Sequence, residues 1–131
     1  MRLLLDTHVA LWAVVDPSRL PPRTRQALVN EANAVVVSAA SLWEIAVKFR
    51  LRRGAPGDMP LSAADAALEF EAAGFELLTI TPQHALTVAD LPPIHADPFD
   101  RMLIAQARAE PLHLITRDAA VAAYGDGIER I

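Results

Sequence analysis

Short apolar runs recur along the chain, and each of them ends at a polar residue. Three leucines at residues 3–5 stop at Asp6, and three β-branched valines at residues 35–37 stop at Ser38. Runs of this length are too short to be helices, but they are typical of buried strands. The same reasoning predicts three further strands, at residues 75–81, 112–116 and 128–131.

Segments with helical character lie between the predicted strands. Helices are predicted at residues 9–15, 23–32, 42–49, 62–73 and 98–109. Strands that alternate with helices favour an α/β fold in which helices cover both faces of a mainly parallel sheet. A chain of 131 residues suffices for one such domain, and we expect a single domain over residues 1–131.

The composition excludes several kinds of site. The absence of cysteine rules out disulfides and thiolate metal sites. With 12 basic and 16 acidic residues, the net charge of −4 argues against binding of nucleic acid through overall charge. No apolar run approaches the roughly 20 residues that span a bilayer. We therefore expect a soluble, cytoplasmic protein that does not enter the membrane.

Carboxylates occur where the predicted topology brings chain segments together. Asp6 and Asp118 follow the first and fourth strands, and Glu44 lies early in the helix after the second. Asp97 and Asp100 lie at the start of a later helix. Because ligands bind beyond the carboxyl ends of parallel strands, these acids are predicted to share one edge of the sheet. Clustered carboxylates suit Mg²⁺ or Mn²⁺, and such ions support phosphodiester hydrolysis.

Each acid also has a structural interpretation. Asp97 and Asp118 are suitable helix N-caps, and Glu44 has the i,i+4 spacing for a surface ion pair with Lys48. Asp6 is the hardest to explain in this way, since it directly follows a buried strand. The prediction therefore depends on the joint placement of the acids.

Four blocks of sequence together resemble a PIN-domain ribonuclease of the VapC toxin type. They are residues 4–8 (LLDTH), 38–48 (SAASLWEIAVK), 97–107 (DPFDRMLIAQA) and 115–118 (ITRD). The blocks follow the order of the family and span nearly the whole chain. The resemblance implies a three-layer α/β/α sandwich and endonuclease cleavage of RNA that depends on Mg²⁺ or Mn²⁺. It also implies a toxin of a type II toxin–antitoxin pair, typically a homodimer, with a VapB-type antitoxin as its inhibitor.

The resemblance also assigns roles to residues. The acids given catalytic and metal-binding roles are Asp6, Glu44, Asp100 and Asp118. Supporting roles fall to Asp97 and to two hydroxyls that could orient a ligand or water, those of Thr7 and Thr116. Basic candidates for contacts with the RNA backbone are Lys48, Arg50, Arg52, Arg53, Arg101 and Arg117. The alternative for these basic residues is a solvated surface or simple balancing of the acids.

Aromatic and apolar residues leave the mode of recognition open. Aromatic residues make up 5% of the chain and are scattered, so the sequence predicts no platform on which bases would stack. The early helices carry apolar residues that suit either core packing or a groove for an antitoxin helix: Leu11, Trp12, Leu42 and Trp43. No histidine is proposed as a general base, although His8 lies close to Asp6.

Two other functions remain open at this stage. One is a catalytically inactive module that only binds an antitoxin or RNA, which intact acids argue against. The other is a different phosphoryl-transfer α/β domain, of the response-regulator or haloacid-dehalogenase kind. A haloacid dehalogenase requires an aspartate two residues after the first, where this chain has His8. A response regulator requires paired acids near the first strand, and this chain lacks them.

Overall fold

Strands and helices alternate along the chain in a computed structural model that describes residues 1–131. The five strands are β1 (Arg2–Leu5), β2 (Ala34–Ser38), β3 (Glu76–Leu78), β4 (His113–Thr116) and β5 (Ile128–Arg130). The seven α-helices are α1 (Thr7–Val15), α2 (Pro22–Val29), α3 (Ala39–Arg50), α4 (Ala63–Ala72), α5 (Pro82–Ala89), α6 (Pro98–Ala109) and α7 (Ala119–Ala122). One turn of 3₁₀ helix, Pro17–Arg19, follows α1.

The strands form one parallel sheet in the order β3-β2-β1-β4-β5. The chain begins at the centre with β1, adds β2 and β3 on one side, and then crosses over to add β4 and β5 on the other. The direction of winding therefore reverses between β1 and β4. In open parallel sheets, the crevice beyond the carboxyl ends of the strands at such a reversal is where ligands bind.

Alternate residues of the central strands pack against helices on opposite faces of the sheet. Leu3 and Leu5 belong to a core with α1, α3 and α4, and Leu4 belongs to a second core with α6 and α7. Because both faces are covered, β1 and β2 are buried throughout most of their length and carry continuous apolar runs. The predicted three-layer α/β/α sandwich with a parallel central sheet is confirmed.

The region after β3 differs from the prediction. The strand expected at residues 75–81 covers only Glu76–Leu78, since its one partner, β2, ends at Ser38, which pairs with Leu78. Helix α5 was not predicted. Its first turn is closed by a capping box in which the Thr81 hydroxyl accepts from the His84 backbone N–H, while the His84 ring accepts from the Thr81 N–H. Pro82, interpreted as the end of a strand, is the first residue of this helix.

The other boundaries shift by up to three residues, as at the end of α2 and at the start of α3. Helix α6 coincides with the predicted residues 98–109. Helix α1 begins at Thr7, two residues earlier than predicted, because the Asp6 side chain caps it. No helix in the chain is both long enough and apolar enough to cross a membrane.

Candidate active site

A polar cleft of about 160 Å³ lies at the carboxyl edge of the sheet, where β1 and β4 end. It is lined by Asp6, Thr7, His8, Glu44, Lys48, His95, Asp97, Asp100 and Asp118, without any hydrophobic side chain. All five acids singled out in the sequence therefore lie together. The cleft coincides with the point at which the order of the strands reverses.

Asp6 is fixed at the base of the cleft by both of its carboxylate oxygens. Oδ1 accepts from the backbone N–H of Val9 at 2.9 Å and so caps α1. Oδ2 accepts from the Thr116 hydroxyl and, at 3.3 Å, from the Arg117 N–H. Burial raises the pKa of Asp6 above its ordinary value, and these hydrogen bonds and the nearby His8 only partly oppose that effect. A cation placed here would offset the cost of ionising this carboxylate.

Glu44 is held by neighbours on two helices. Its Oε1 accepts from the Thr7 hydroxyl at 2.6 Å, and Thr7 also lies 2.9 Å from the Ser41 hydroxyl. Its Oε2 forms an ion pair with Lys48. The Glu44 side chain is only 4% exposed, so the expected i,i+4 pair exists but is not a surface pair. Ser41, which the sequence reasoning had not singled out, completes this buried network.

The remaining acids are presented by the N-termini of α6 and α7. Asp97 caps α6 by accepting from the backbone N–H of Asp100 at 3.0 Å, and Asp118 caps α7 by accepting from that of Ala120 at 2.7 Å. His95 lies between Asp100 and Asp118, with its Nε2 2.8 Å from Asp100 Oδ2 and 3.7 Å from Asp118 Oδ2. The sequence reasoning missed His95, although it lies only two residues before the Asp97 block.

The electrostatics of Asp100 show how strongly the acids affect one another. Burial, together with the charges of Asp97, Glu44 and Asp6, raises its pKa from 3.8 to about 6, and burial is the largest of these causes. The hydrogen bond from His95 opposes them without cancelling them. Burial alone lowers the pKa of Lys48, yet its hydrogen bond to Glu44 and the surrounding acids reverse this and raise it. The cleft thus favours positive charge.

The donor set of the cleft suits a hard divalent cation. One ligand atom from each of His95, Asp100 and Asp118 lies within 4.8 Å of the other two. Three further carboxylates, those of Asp6, Glu44 and Asp97, line the same cleft and offer the oxygen ligands that Mg²⁺ and Mn²⁺ prefer. The site therefore fits the predicted metal by its chemistry.

The six basic candidates for RNA contacts do not lie together in the structure. Only Lys48 lines the cleft. Arg50, Arg52 and Arg53 lie exposed at and beyond the end of α3, and the Arg52 guanidinium lies over the Phe49 ring.

The other two basic candidates have different surroundings. Arg101 points away from the acids and donates to the carbonyl oxygens of Pro92 and Val88 and to the hydroxyl of Tyr124. It therefore supports the loop that carries His95, and its contact with RNA stays a prediction. Arg117 lies with its guanidinium near Trp12.

Comparison with known proteins agrees with this arrangement. Residues 3–127 match the PIN domain. The chain belongs to the PIN domain family. This PIN domain is 32% identical over 117 residues to Ribonuclease VapC22 of Mycobacterium tuberculosis, a match that covers 88% of this chain and 86% of that protein. The resemblance noted from the four sequence blocks is thereby confirmed.

Solved structures share the fold at lower sequence identity. VapBC2 from Rickettsia felis, bound to a DNA fragment from its promoter, superposes with a TM-score of 0.70 at 13% identity, covering 100% of this chain and 99% of that chain. DNA-bound VapBC from Salmonella typhimurium gives a TM-score of 0.69 at 17% identity, covering 99% of this chain and 98% of that one. At these identities the similarity concerns the PIN fold itself.

Proposed function

We propose that this PIN domain is a ribonuclease that hydrolyses RNA phosphodiester bonds with a divalent metal ion, and that it acts as the toxin of a toxin–antitoxin pair. The observation that carries the proposal is the convergence of five carboxylates on one cleft that contains a single lysine. The related ribonuclease from M. tuberculosis supports RNA as the substrate. The intact acids argue against an inactive binding module.

Asp6, Asp100 and Asp118 are the residues that we propose to hold the metal, with Glu44 completing the set directly or through water. A bound Mg²⁺ or Mn²⁺ supplies an activated water and offsets charge on the phosphoryl oxygens. His95 donates to Asp100 and orients that carboxylate. The Thr116 and Thr7 hydroxyls donate to Asp6 and Glu44, so they fix the acids rather than touch the substrate.

Lys48 has two roles in this proposal, one towards Glu44 and one towards the RNA. It neutralises Glu44, and its exposed half can approach a phosphate group beside the cleft. An acidic cleft repels RNA unless cations are present, so binding requires the metal together with flanking basic groups. We therefore expect RNA binding, as well as cleavage, to weaken when the metal is removed.

The decisive experiment is cleavage of total RNA with mapping of the cut sites. Asp6→Asn should abolish cleavage and keep the fold, because asparagine is also a good N-cap. The matched control is Asp90→Asn, which alters an exposed aspartate outside the cleft and should cleave like the wild type. EDTA should stop cleavage, and Mg²⁺ or Mn²⁺ should restore it. Full activity of Asp6→Asn, or activity in excess EDTA, contradicts the proposal.

A protein partner is the second part of the proposal. Two of the solved structures with this fold are of VapBC bound to DNA, so we infer a VapB-type antitoxin for this chain. Co-expression with the adjacent reading frame should give a co-purifying complex and relieve growth arrest. Light scattering on the purified chain tests whether it forms a homodimer. Growth arrest that persists despite complex formation contradicts inhibition by that partner.

A further inference from the structure

A second cavity, of about 360 Å³, lies next to the acidic cleft. Helix α1 forms one wall with His8 and Trp12, and the other wall is the loop around Asp58 and Met59. His8 also lines the acidic cleft, so the two spaces share a side chain. A phosphodiester at the acids would therefore have its neighbouring nucleotide close to this second cavity.

Trp12 is surrounded by cationic and aromatic groups. The guanidinium of Arg19 lies 5.2 Å from the centre of its ring, and that of Arg117 lies 5.1 Å away. The His8 ring centre is 6.1 Å from that of Trp12. Distant parts of the sequence thus bring together rings and guanidinium groups, which are the side chains that stack with bases and bind phosphates.

Arg117 connects this cavity directly to the acids. Its backbone N–H donates to Asp6 Oδ2, while its guanidinium reaches the Trp12 ring. Along α1, the six residues from Asp6 to Trp12 correspond to a rise of about 9 Å. The ring is therefore placed beside the acidic cleft and not at a remote surface.

We propose that Trp12 is the stacking platform for the base of the nucleotide next to the cleaved phosphodiester. Arg117 and Arg19 bind the flanking phosphates in this arrangement. The base takes up a position on the indole ring, and the displaced guanidinium pairs with a phosphate. This inference rests on the proposed ribonuclease function and adds a binding site to it.

The cavity suits a nucleotide better than a peptide helix. Its volume lies at the low end of the range of about 300–1,000 Å³ for small-molecule sites, whereas a helix requires a long apolar groove. Two carboxylates also line it, but both are already engaged. Asp16 accepts from the Ser18 hydroxyl, and Asp58 accepts from two backbone N–H groups of its own loop.

Tryptophan fluorescence can test the proposal without any cleavage. The chain has two tryptophans, so Trp43→Phe leaves Trp12 as the only one, and Trp12→Phe leaves Trp43 as the matched control. Both substitutions are made in the Asp6→Asn protein. The probes, added with Mg²⁺, are a single-stranded hexaribonucleotide of mixed sequence and the same ribose-phosphate chain without bases. We expect the complete hexamer to quench Trp12 emission and the abasic chain to have little effect.

Kinetics provide an independent measurement. Trp12→Leu should raise the KM for the hexaribonucleotide by roughly 5- to 150-fold, the range for loss of one stacked base, and leave kcat nearly unchanged. Trp12→Tyr should restore most of the affinity, which a merely structural role would not require. Trp43→Leu is the control, since Trp43 does not line the cavity.

Three results would overturn the inference. They are equal quenching by the complete and abasic chains, quenching of Trp43 without quenching of Trp12, and a response of Trp12 only to a co-expressed antitoxin. Cleavage of total RNA by the Trp43→Phe protein with Asp6 intact reports separately on the proposed function. A failure of the proposed ribonuclease function can therefore be distinguished from a failure of the proposed stacking site.

Discussion

The substitution Asp100→Asn should stabilise the metal-free protein while it removes a residue that we propose for metal binding. The side chain of Asp100 is 18% exposed, and its pKa is raised from 3.8 to about 6 by burial and by the neighbouring acids. At about 1.4 kcal/mol for each pKa unit, ionising it in the folded protein at pH 7 costs at most about 3 kcal/mol, and screening by solvent reduces this cost. Asparagine avoids this cost and keeps a similar shape.

We expect the free energy of unfolding of Asp100→Asn to exceed that of the wild type by about 1–3 kcal/mol at pH 7 in EDTA. Urea denaturation should show this as an increase of roughly 1 M in the midpoint. The same variant should cleave RNA poorly, since it lacks a carboxylate of the cleft. Asp90→Asn, an exposed aspartate outside the cleft, should change the free energy by less than about 0.5 kcal/mol.

The pH dependence of this gain has a definite sign. Because the pKa of Asp100 is higher in the folded protein than in the unfolded chain, the folded protein binds more protons between about pH 4 and pH 6. The contribution of Asp100 to wild-type stability is therefore lost as the pH rises through this window, and the advantage of the variant should be small at pH 4 and complete above about pH 7. A gain that does not vary with pH, or no gain at pH 7, would refute the electrostatic reasoning.

Further predictions concern the core and the groups that support the acids. Leu114→Ala, at a fully buried position of β4, should cost about 2–5 kcal/mol in urea denaturation, and a loss below 1 kcal/mol would contradict the packing described. Thr7→Val removes the hydroxyl that donates to buried Glu44. The free energy of unfolding in urea should fall by about 1–3 kcal/mol, and cleavage should slow. An unchanged variant would show that the hydrogen bond contributes nothing. Tyr124→Phe removes the hydroxyl that accepts from the backbone N–H of His95. Initial-rate assays should show that cleavage by the folded variant is about tenfold slower. An equal loss in a Phe99→Leu control would indicate a general loss of packing.

Local patterns predicted the fold where burial is continuous. The three leucines of β1 and the three valines of β2 are covered on both faces, so their apolar runs identify them without knowledge of the rest of the chain. The general rule for the carboxyl edge of parallel sheets then placed Asp6 and Asp118 together. These predictions succeeded because they required only local composition and the order of strands.

The features that were missed depend on contacts between distant segments. The end of β3 is set by the end of its partner β2 at Ser38, and α5 begins through a capping box in which a histidine replaces the usual acid or amide. His95 gains its position from a loop fixed by Arg101 and Tyr124. Nothing in the scattered aromatic residues indicated that Trp12 would meet Arg117, which follows it by more than 100 positions.

The structural and functional interpretations of the acids prove compatible, because a carboxylate has two oxygens. Asp6, Asp97 and Asp118 each use Oδ1 to accept a backbone N–H at the start of a helix. Each helix therefore holds its own acid in place, and Asp118 keeps Oδ2 directed towards His95. Convergence of the carboxylates is then a property of the fold, and the metal is not needed to gather them. The ion instead relieves a repulsion that folding has already imposed, which is why the protein without metal should become more stable when one of the acids is neutralised.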